Sequence, residues 1–319
     1  MSSTRQLSLS SVLERPDRSR RRRGLSRRNR PLWMLIPGGV LMVVVVLIPL
    51  AMAVYMSLLD LNQYTIRQWL QAPFIALSNY VEAITDSPLL SSFGISISFA
   101  LISTLVTIPI GVAAALATQN AYRGRALVRS VFLVPYVIPS FVTATIWRTI
   151  MQPGGIWTGL LSVVGIHPGL WLNGPNAFWT LVIVEIWAAW PFIYLLALSG
   201  LQTIEQDVFE AAALDGVSWW EQLRHVVFPN LRGPVALASV VAVLAHINNF
   251  TLPFVLFGMP APDNVQTLPF LTYIQSFQSF RFGLSAATAI CSLVLLAIPL
   301  FIYLRVARLD RTEAEVAGA

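Results

Sequence analysis

Six stretches of this chain stay apolar for close to the ~20 residues a helix needs to cross the hydrocarbon core of a bilayer. They cover residues 32–58, 93–118, 127–151, 178–198, 235–258 and 284–303. The whole sequence is 56% hydrophobic and 11% charged, with a mean hydropathy of +0.68, whereas soluble domains carry about 25% charge. These features predict an all-α, polytopic membrane protein with about six transmembrane helices. The first run follows a basic segment, and Ala51-Met52-Ala53 mimics a signal-peptidase site. It is longer than a signal core and further runs follow it, so it is read as a retained span. Pro135 and Pro139 remove backbone donors from the third run and should kink or break it.

Charge orients the spans. All 21 basic residues are Arg. Eighteen fall in residues 5–30, 123–129, 224–232 and 305–311; Arg67 and Arg281 lie on the other side and Arg148 near a span end. By the positive-inside rule both termini and the connection around Arg224 are cytoplasmic. Residues 1–31 are Ser- and Arg-rich, too polar to offset their ordering entropy, and read as a disordered cytoplasmic anchor rather than a nucleic-acid arm. Residues 32–306 form the membrane domain and 307–319 a cytoplasmic tail. With no Lys, the chain cannot build a nucleotide-binding P-loop, so any ATP-driven motor is another subunit. Cys291 is the single cysteine, which excludes intrachain disulfides and cysteine-rich metal sites; no metal site is expected.

The longest charged passage between spans runs over 203–234. Thr203 with Gln206 forms a capping-box pattern, with Glu205 and Asp207 in the first turn, where carboxylates suit the helix dipole. Gly216 is placed to end that helix. Ser218 with Glu221 opens a second one, and Pro229 should end it.

Glu210-Ala211-Ala212, then Gly216, then Phe228-Pro229 resembles the "EAA…G…LP" loop of ATP-binding-cassette (ABC) importer permeases. The resemblance implies that residues 203–230 are the cytoplasmic coupling loop, with Glu210, Ala211, Ala212, Asp215, Gly216 and Pro229 at the ATPase contact. Phe74-Ile75-Ala76-Leu77-Ser78-Asn79-Tyr80 is similar to a sugar-permease phrase, with Ala76 in place of Gly. Residues 135–140, 187–192 and 248–250 look like the matching phrases of the maltose-permease-type larger subunit. That likeness implies a bacterial cytoplasmic-membrane permease for a disaccharide or small oligosaccharide, an α-glucoside among them. Its expected partners are a second permease subunit, two ATPase subunits that hold the ATP and Mg, and an extracytoplasmic solute-binding protein. No cofactor is expected in this chain. A related importer for polyols or glycerophosphodiesters is the near alternative.

Polar residues inside spans are costly and mark function by default. Glu185, His246 with Asn249, and Ser140 after Pro139 qualify on that ground. His246 and Asn249 are three apart and should share a helix face; His246 and Arg148 are the candidate partners for Glu185. A sugar site needs flat apolar faces with a few hydrogen-bonding groups. The resemblance implies Ser140, Glu185, Ala188, Ala189, Phe192, Ala242, Ala245, His246 and Asn249 as substrate-binding residues. Glu185 and His246 stand where the maltose-type subunit has Asn, and Ala245 where it has an aromatic. A proton-coupled secondary transporter could use Glu185 as a relay, but leaves the 203–234 passage unexplained. No metal-spaced His pair or nucleophile–base set supports a membrane enzyme.

Overall fold

The computed structural model describes residues 30–165 and 169–297. The basic tail, the C-terminal tail and the end of the sixth apolar run lie outside them. The chain divides into two units, Met1–Met52 and Ala53–Ala319. The described part of the first is helical. The span-length helix α1 (Leu35–Ser57), most of which belongs to it, has a mean hydropathy of 2.6 and loosens into a π turn at Val43–Leu47. Every side chain from Leu35 to Met52 is exposed, and this part of the helix is apolar on every side, as a membrane span is.

In the second unit, α2 (Ser78–Thr85) precedes the long α3 (Leu89–Thr118). Then come α4 (Arg125–Val137), α5 (Ser140–Met151) and α6 (Ile156–Val163). α7 (Asn176–Leu201), α8 (Gln206–Leu214) and α9 (Trp219–Ile247) follow. The last three are α10 (Thr251–Phe257), α11 (Leu268–Tyr273) and α12 (Phe282–Ala297). Among the described residues, α1, α3, α7 and α9 are long and apolar enough to cross a membrane, and the bent pair α4–α5 meets the same measure when its two helices are taken together. α12 reaches the limit of the described residues within the sixth predicted run.

Helices α3, α7 and α9 form the core, and small residues let them close on one another. A Cβ on Gly111 of α3 would lie 2.7 Å from Ile193 Cβ and 2.8 Å from Tyr194 N of α7. One on Gly200 of α7 would lie 2.9 Å from Pro234 Cγ of α9. At the predicted basic turn, Arg129 Nη2 donates to Thr118 O at 2.6 Å and Arg125 Nη1 to Gln119 O at 3.3 Å. Both cations thus serve the carbonyl end of α3, where the helix dipole favours them.

Three expectations need correction. The third run breaks, as its prolines require, but only at Pro139: Ile138 and Pro139 are extended and α5 leaves α4 at 90°. The residue before a proline is pushed out of the helical region. Pro229 does not end its helix. The π turn Leu223–Val227 precedes it, and Phe228 N–H bonds Leu223 O, five residues back. That extra residue in the turn relieves the clash a proline ring makes with the carbonyl four residues earlier. The fifth run is not one helix over 235–258 either: α9 stops at Ile247, and α10 starts afresh at Thr251.

The segments expected on the outer side contain α2, α6 and α11 and are tied together. Asn264 Nδ2 donates to Gly174 O at 3.0 Å, and Gly283 N–H to Leu61 O at 2.9 Å. Arg281 forms a two-pronged ion pair with Glu82, whose hydrogen bonds push the guanidinium pKa further up. That pair is half-exposed, so it contributes at most about 1 kcal/mol.

Candidate functional site

Both helix breaks open onto one cavity of about 580 Å³, walled by α7 and α9. Irregular backbone at membrane depth is tolerated where it lines such a space. All nine residues implied as substrate-binding border it: Ser140, Glu185, Ala188, Ala189, Phe192, Ala242, Ala245, His246 and Asn249. The four alanines leave the room. Phe192 stacks with Tyr136, also on the cavity wall, at a ring separation of 6.2 Å and 28° between planes. The pair offers a flat apolar face.

Opposite in character is a buried polar set. Glu185, 7% exposed, has its Oε1 2.6 Å from His246 Nδ1. Its Oε2 accepts from Asn249 Nδ2 at 2.8 Å. Asn249 Oδ1 in turn accepts the Leu252 N–H at 3.1 Å. Of the two candidate partners for Glu185, only His246 meets it. Arg148 instead donates from Nη1 to Val255 O at 3.2 Å, near the end of α10. His246 and Asn249 converge, though not by sharing a helix face: α9 ends between them, and Asn249 opens α10.

Sequence reasoning missed Thr143. It lies one turn after Ser140, is buried, borders the cavity, and its hydroxyl has no partner among the described residues. Its spacing of three from Ser140 places the two on one helix face but says nothing of whether the hydroxyl is engaged. His246 Nε2 is likewise buried and without a partner there, with Phe99 edge-on at 6.1 Å. Among the described residues no cluster of His, Cys, Asp or Glu could hold a metal ion.

The 203–234 connection carries a second feature. Gly216 takes φ +68°, and Val217 N–H reaches back to Ala212 O at 3.1 Å. This is the left-handed helix ending that only glycine adopts without strain. Ser218 and Glu221 form the predicted reciprocal box: Ser218 N–H donates to Glu221 Oε2 at 2.9 Å and Glu221 N–H to Ser218 Oγ at 3.4 Å. Thr203 Oγ1 donates to Gly200 O at 2.8 Å; the Gln206 side chain of the first box lies outside the described residues. Between α8 and the start of α9 lies an open groove of about 860 Å³. Ala211, Ala212, Asp215 and Gly216 line it, whereas Glu210 and Pro229 do not. Behind it Phe209, Leu223 and Val227 pack on Ala115, Tyr194, Leu198 and Leu201. The connection is thereby fastened to the ends of α3 and α7.

Residues 107–309 match the family described as "Binding-protein-dependent transport system inner membrane component". The trehalose/maltose transport system permease protein MalF of Thermococcus litoralis is 29% identical over 243 residues, 76% of this chain and 82% of the relative. The sn-glycerol-3-phosphate transport system permease protein UgpA of Brucella abortus is 27% identical over 271 residues, 84% and 90% of the two chains. A crystal structure of a bacterial ABC transporter involved in the import of the acidic polysaccharide alginate contains a chain of the same fold. Its TM-score is 0.73 at 19% identity, covering 88% of this chain and 96% of that one. The chain therefore belongs to the binding-protein-dependent transport system inner membrane components: it is a multi-pass permease subunit of an ABC importer, not itself catalytic and without a cofactor, ATP being bound by a partner ATPase.

Proposed function

We propose that this permease translocates a neutral disaccharide or small oligosaccharide through the cavity between α4–α5, α7 and α9. The observation that carries the reading is the pairing of the Tyr136–Phe192 stack with the Glu185–His246–Asn249 network on one cavity wall. A sugar has apolar ring faces and hydroxyl edges, and such a wall answers both. The likeness to a trehalose/maltose permease supports it. The glycerol-3-phosphate relative suggests a second reading, but the cavity chemistry disfavours it. Phosphate recognition calls for Arg or a comparable set of donors, and among the described residues the cavity lining includes no Arg and one carboxylate.

The subunit works in the bacterial cytoplasmic membrane with both termini inside. A second permease subunit, two ATPase subunits and an extracytoplasmic solute-binding protein complete the importer. The ATPases act on α8 and the start of α9 through Glu210, Ala211, Ala212, Asp215, Gly216 and Pro229. Closure of the motor moves this connection, and the packing of Phe209, Leu223 and Val227 on the span ends transmits the motion to the cavity. Uptake of labelled trehalose, maltose and glycerol-3-phosphate in a deletion strain, with and without the chain, tests the reading. A disaccharide should accumulate, and inactivating the ATPase should stop it. Uptake of glycerol-3-phosphate alone, or uptake that follows the proton gradient and ignores the ATPase, would refute it.

A further inference from the structure

We propose that the Leu252 N–H, acting through Asn249 and Glu185, fixes the hydrogen-bonding polarity of His246, so that Nε2 is an acceptor and the cavity selects a ligand hydroxyl able to donate. The inference rests on the sugar reading above, and it assigns different roles to residues that the sequence placed together as ligand contacts.

The relay starts at the break between α9 and α10. A backbone N–H can only donate, so the Leu252 N–H, 3.1 Å from Asn249 Oδ1, settles which way the Asn249 amide points. Its Nδ2 must then face Glu185 and donate to Oε2, at 2.8 Å. The carboxylate, an acceptor at both oxygens, takes the Nδ1–H of His246 on Oε1, at 2.6 Å. A neutral imidazole with its proton on Nδ1 has a bare, accepting Nε2. That atom is buried and without a partner among the described residues. Both carboxylate oxygens and both polar atoms of Asn249 are engaged within the protein. Glu185 and Asn249 are therefore positioning residues, and His246 Nε2 is the group left for the ligand. The hydroxyls of Tyr136, Ser140 and Thr143 on the same wall can donate or accept. Among the unengaged side-chain groups of the described cavity wall, His246 Nε2 alone imposes a direction.

Glu185→Gln should reverse that direction. The Asn249 donor holds the new amide oxygen, which turns the amide NH2 toward Nδ1. Nδ1 must then accept, and the imidazole proton moves to Nε2. The shape and the hydrogen bonds stay; only the polarity changes.

The test uses the full chain with its partner subunits in lipid bilayers, labelled with ¹⁵N-histidine. The chain has three histidines, and His246→Gln identifies the signal of His246. In the native chain Nδ1 should carry the proton and Nε2 should be bare. A proton on Nε2, in a neutral or a charged ring, would overturn the relay without any variant being needed. In Glu185→Gln the two nitrogens should exchange roles; an unchanged pattern would also overturn it. Uptake of trehalose is then compared with uptake of its singly deoxyfluorinated analogues, in which fluorine cannot donate. For at least one position the native chain should lose roughly ten-fold in uptake, the scale of one unmade buried hydrogen bond. Glu185→Gln should recover most of that loss. The same binding protein serves both chains, so its own preference cancels in the ratio. If no position behaves this way, His246 does not face the ligand. If neither trehalose nor maltose is carried at all, the sugar reading fails while the labelling result stands by itself.

Discussion

A carboxylate held at 7% exposure between two spans makes the residue scale decisive here. A buried carboxylate that loses one of its donors is left under-compensated, at about 1–3 kcal/mol. His246→Ala does this and also empties the space of a buried imidazole, which adds a cavity cost. Asn249→Ala takes away the other donor with a smaller loss of packing. Glu185→Gln removes the charge itself and keeps the shape. Thermal unfolding of the purified complex should therefore rank His246→Ala as least stable, then Asn249→Ala, with Glu185→Gln nearest the native chain. Glu185→Gln as the least stable of the three would contradict this account of the pair. Glu185, His246 and Asn249 were legible in the sequence because polar groups are rare in spans. Thr143 was not. Threonines in helices usually bond their own backbone, as Thr145 does to Phe141 O at 2.8 Å and Thr149 to Thr145 O at 3.0 Å. Only the packing around Thr143 reveals that its hydroxyl does not.

At the scale of elements, prolines were a partial guide. Pro139 announced the break that opens the cavity, whereas the break at 248–250 holds neither proline nor glycine itself; Pro253 cannot return an N–H to the Asn249 carbonyl, and the Asn249 side chain is held by Glu185. Pro229 misled because a π turn, which has no sequence signature of comparable strength, absorbs it. Gly216 and Gly111 give two tests of how the elements are joined. Gly216 needs φ +68°, which costs an L-residue about 1–2 kcal/mol and which a proline ring, fixed near −65°, cannot reach. Gly216→Pro should abolish uptake and co-purification of the ATPase while membrane insertion persists; Gly216→Ala should retain part of both. Normal transport by the proline variant would remove α8 and the start of α9 from the coupling route. Gly111 is a packing contact instead. Its Cβ would press on Ile193 and on the backbone of Tyr194. Gly111→Ala should therefore lower thermal stability by about 1–3 kcal/mol, the usual cost of overpacking, with ATPase co-purification intact. An unchanged melting temperature would mean that α3 and α7 can part without cost.

For the molecule as a whole, two independent arguments agree on which segments share a side. The arginine count puts residues 123–129 and 224–232 inside and leaves 60–92, 152–176 and 259–282 outside. Hydrogen bonds reach the same grouping without using charge. Residue 264 bonds to 174, 283 to 61, and Arg281 to Glu82, so the third outer segment and its edge reach both of the others. Arg125 and Arg129, by contrast, fold onto the opposite end of α3. Segments in direct contact cannot lie on opposite faces of a bilayer, so the grouping restricts the allowed topologies to two mirror arrangements. The positive-inside rule selects between them. The native cysteine, Cys291, is removed by Cys291→Ser, and new cysteines are placed at Thr158 of α6 and at the exposed Asp263. Both should react with a membrane-impermeant thiol reagent applied to intact cells, and a reporter fused after Arg311 should be active only in the cytoplasm. If Thr158 and Asp263 label only in inverted vesicles, the orientation is reversed and residues 203–230 cannot meet a cytoplasmic ATPase. If one labels from outside and the other from inside, the contact between residues 174 and 264 is wrong, and with it the packing of α7 that forms the cavity wall.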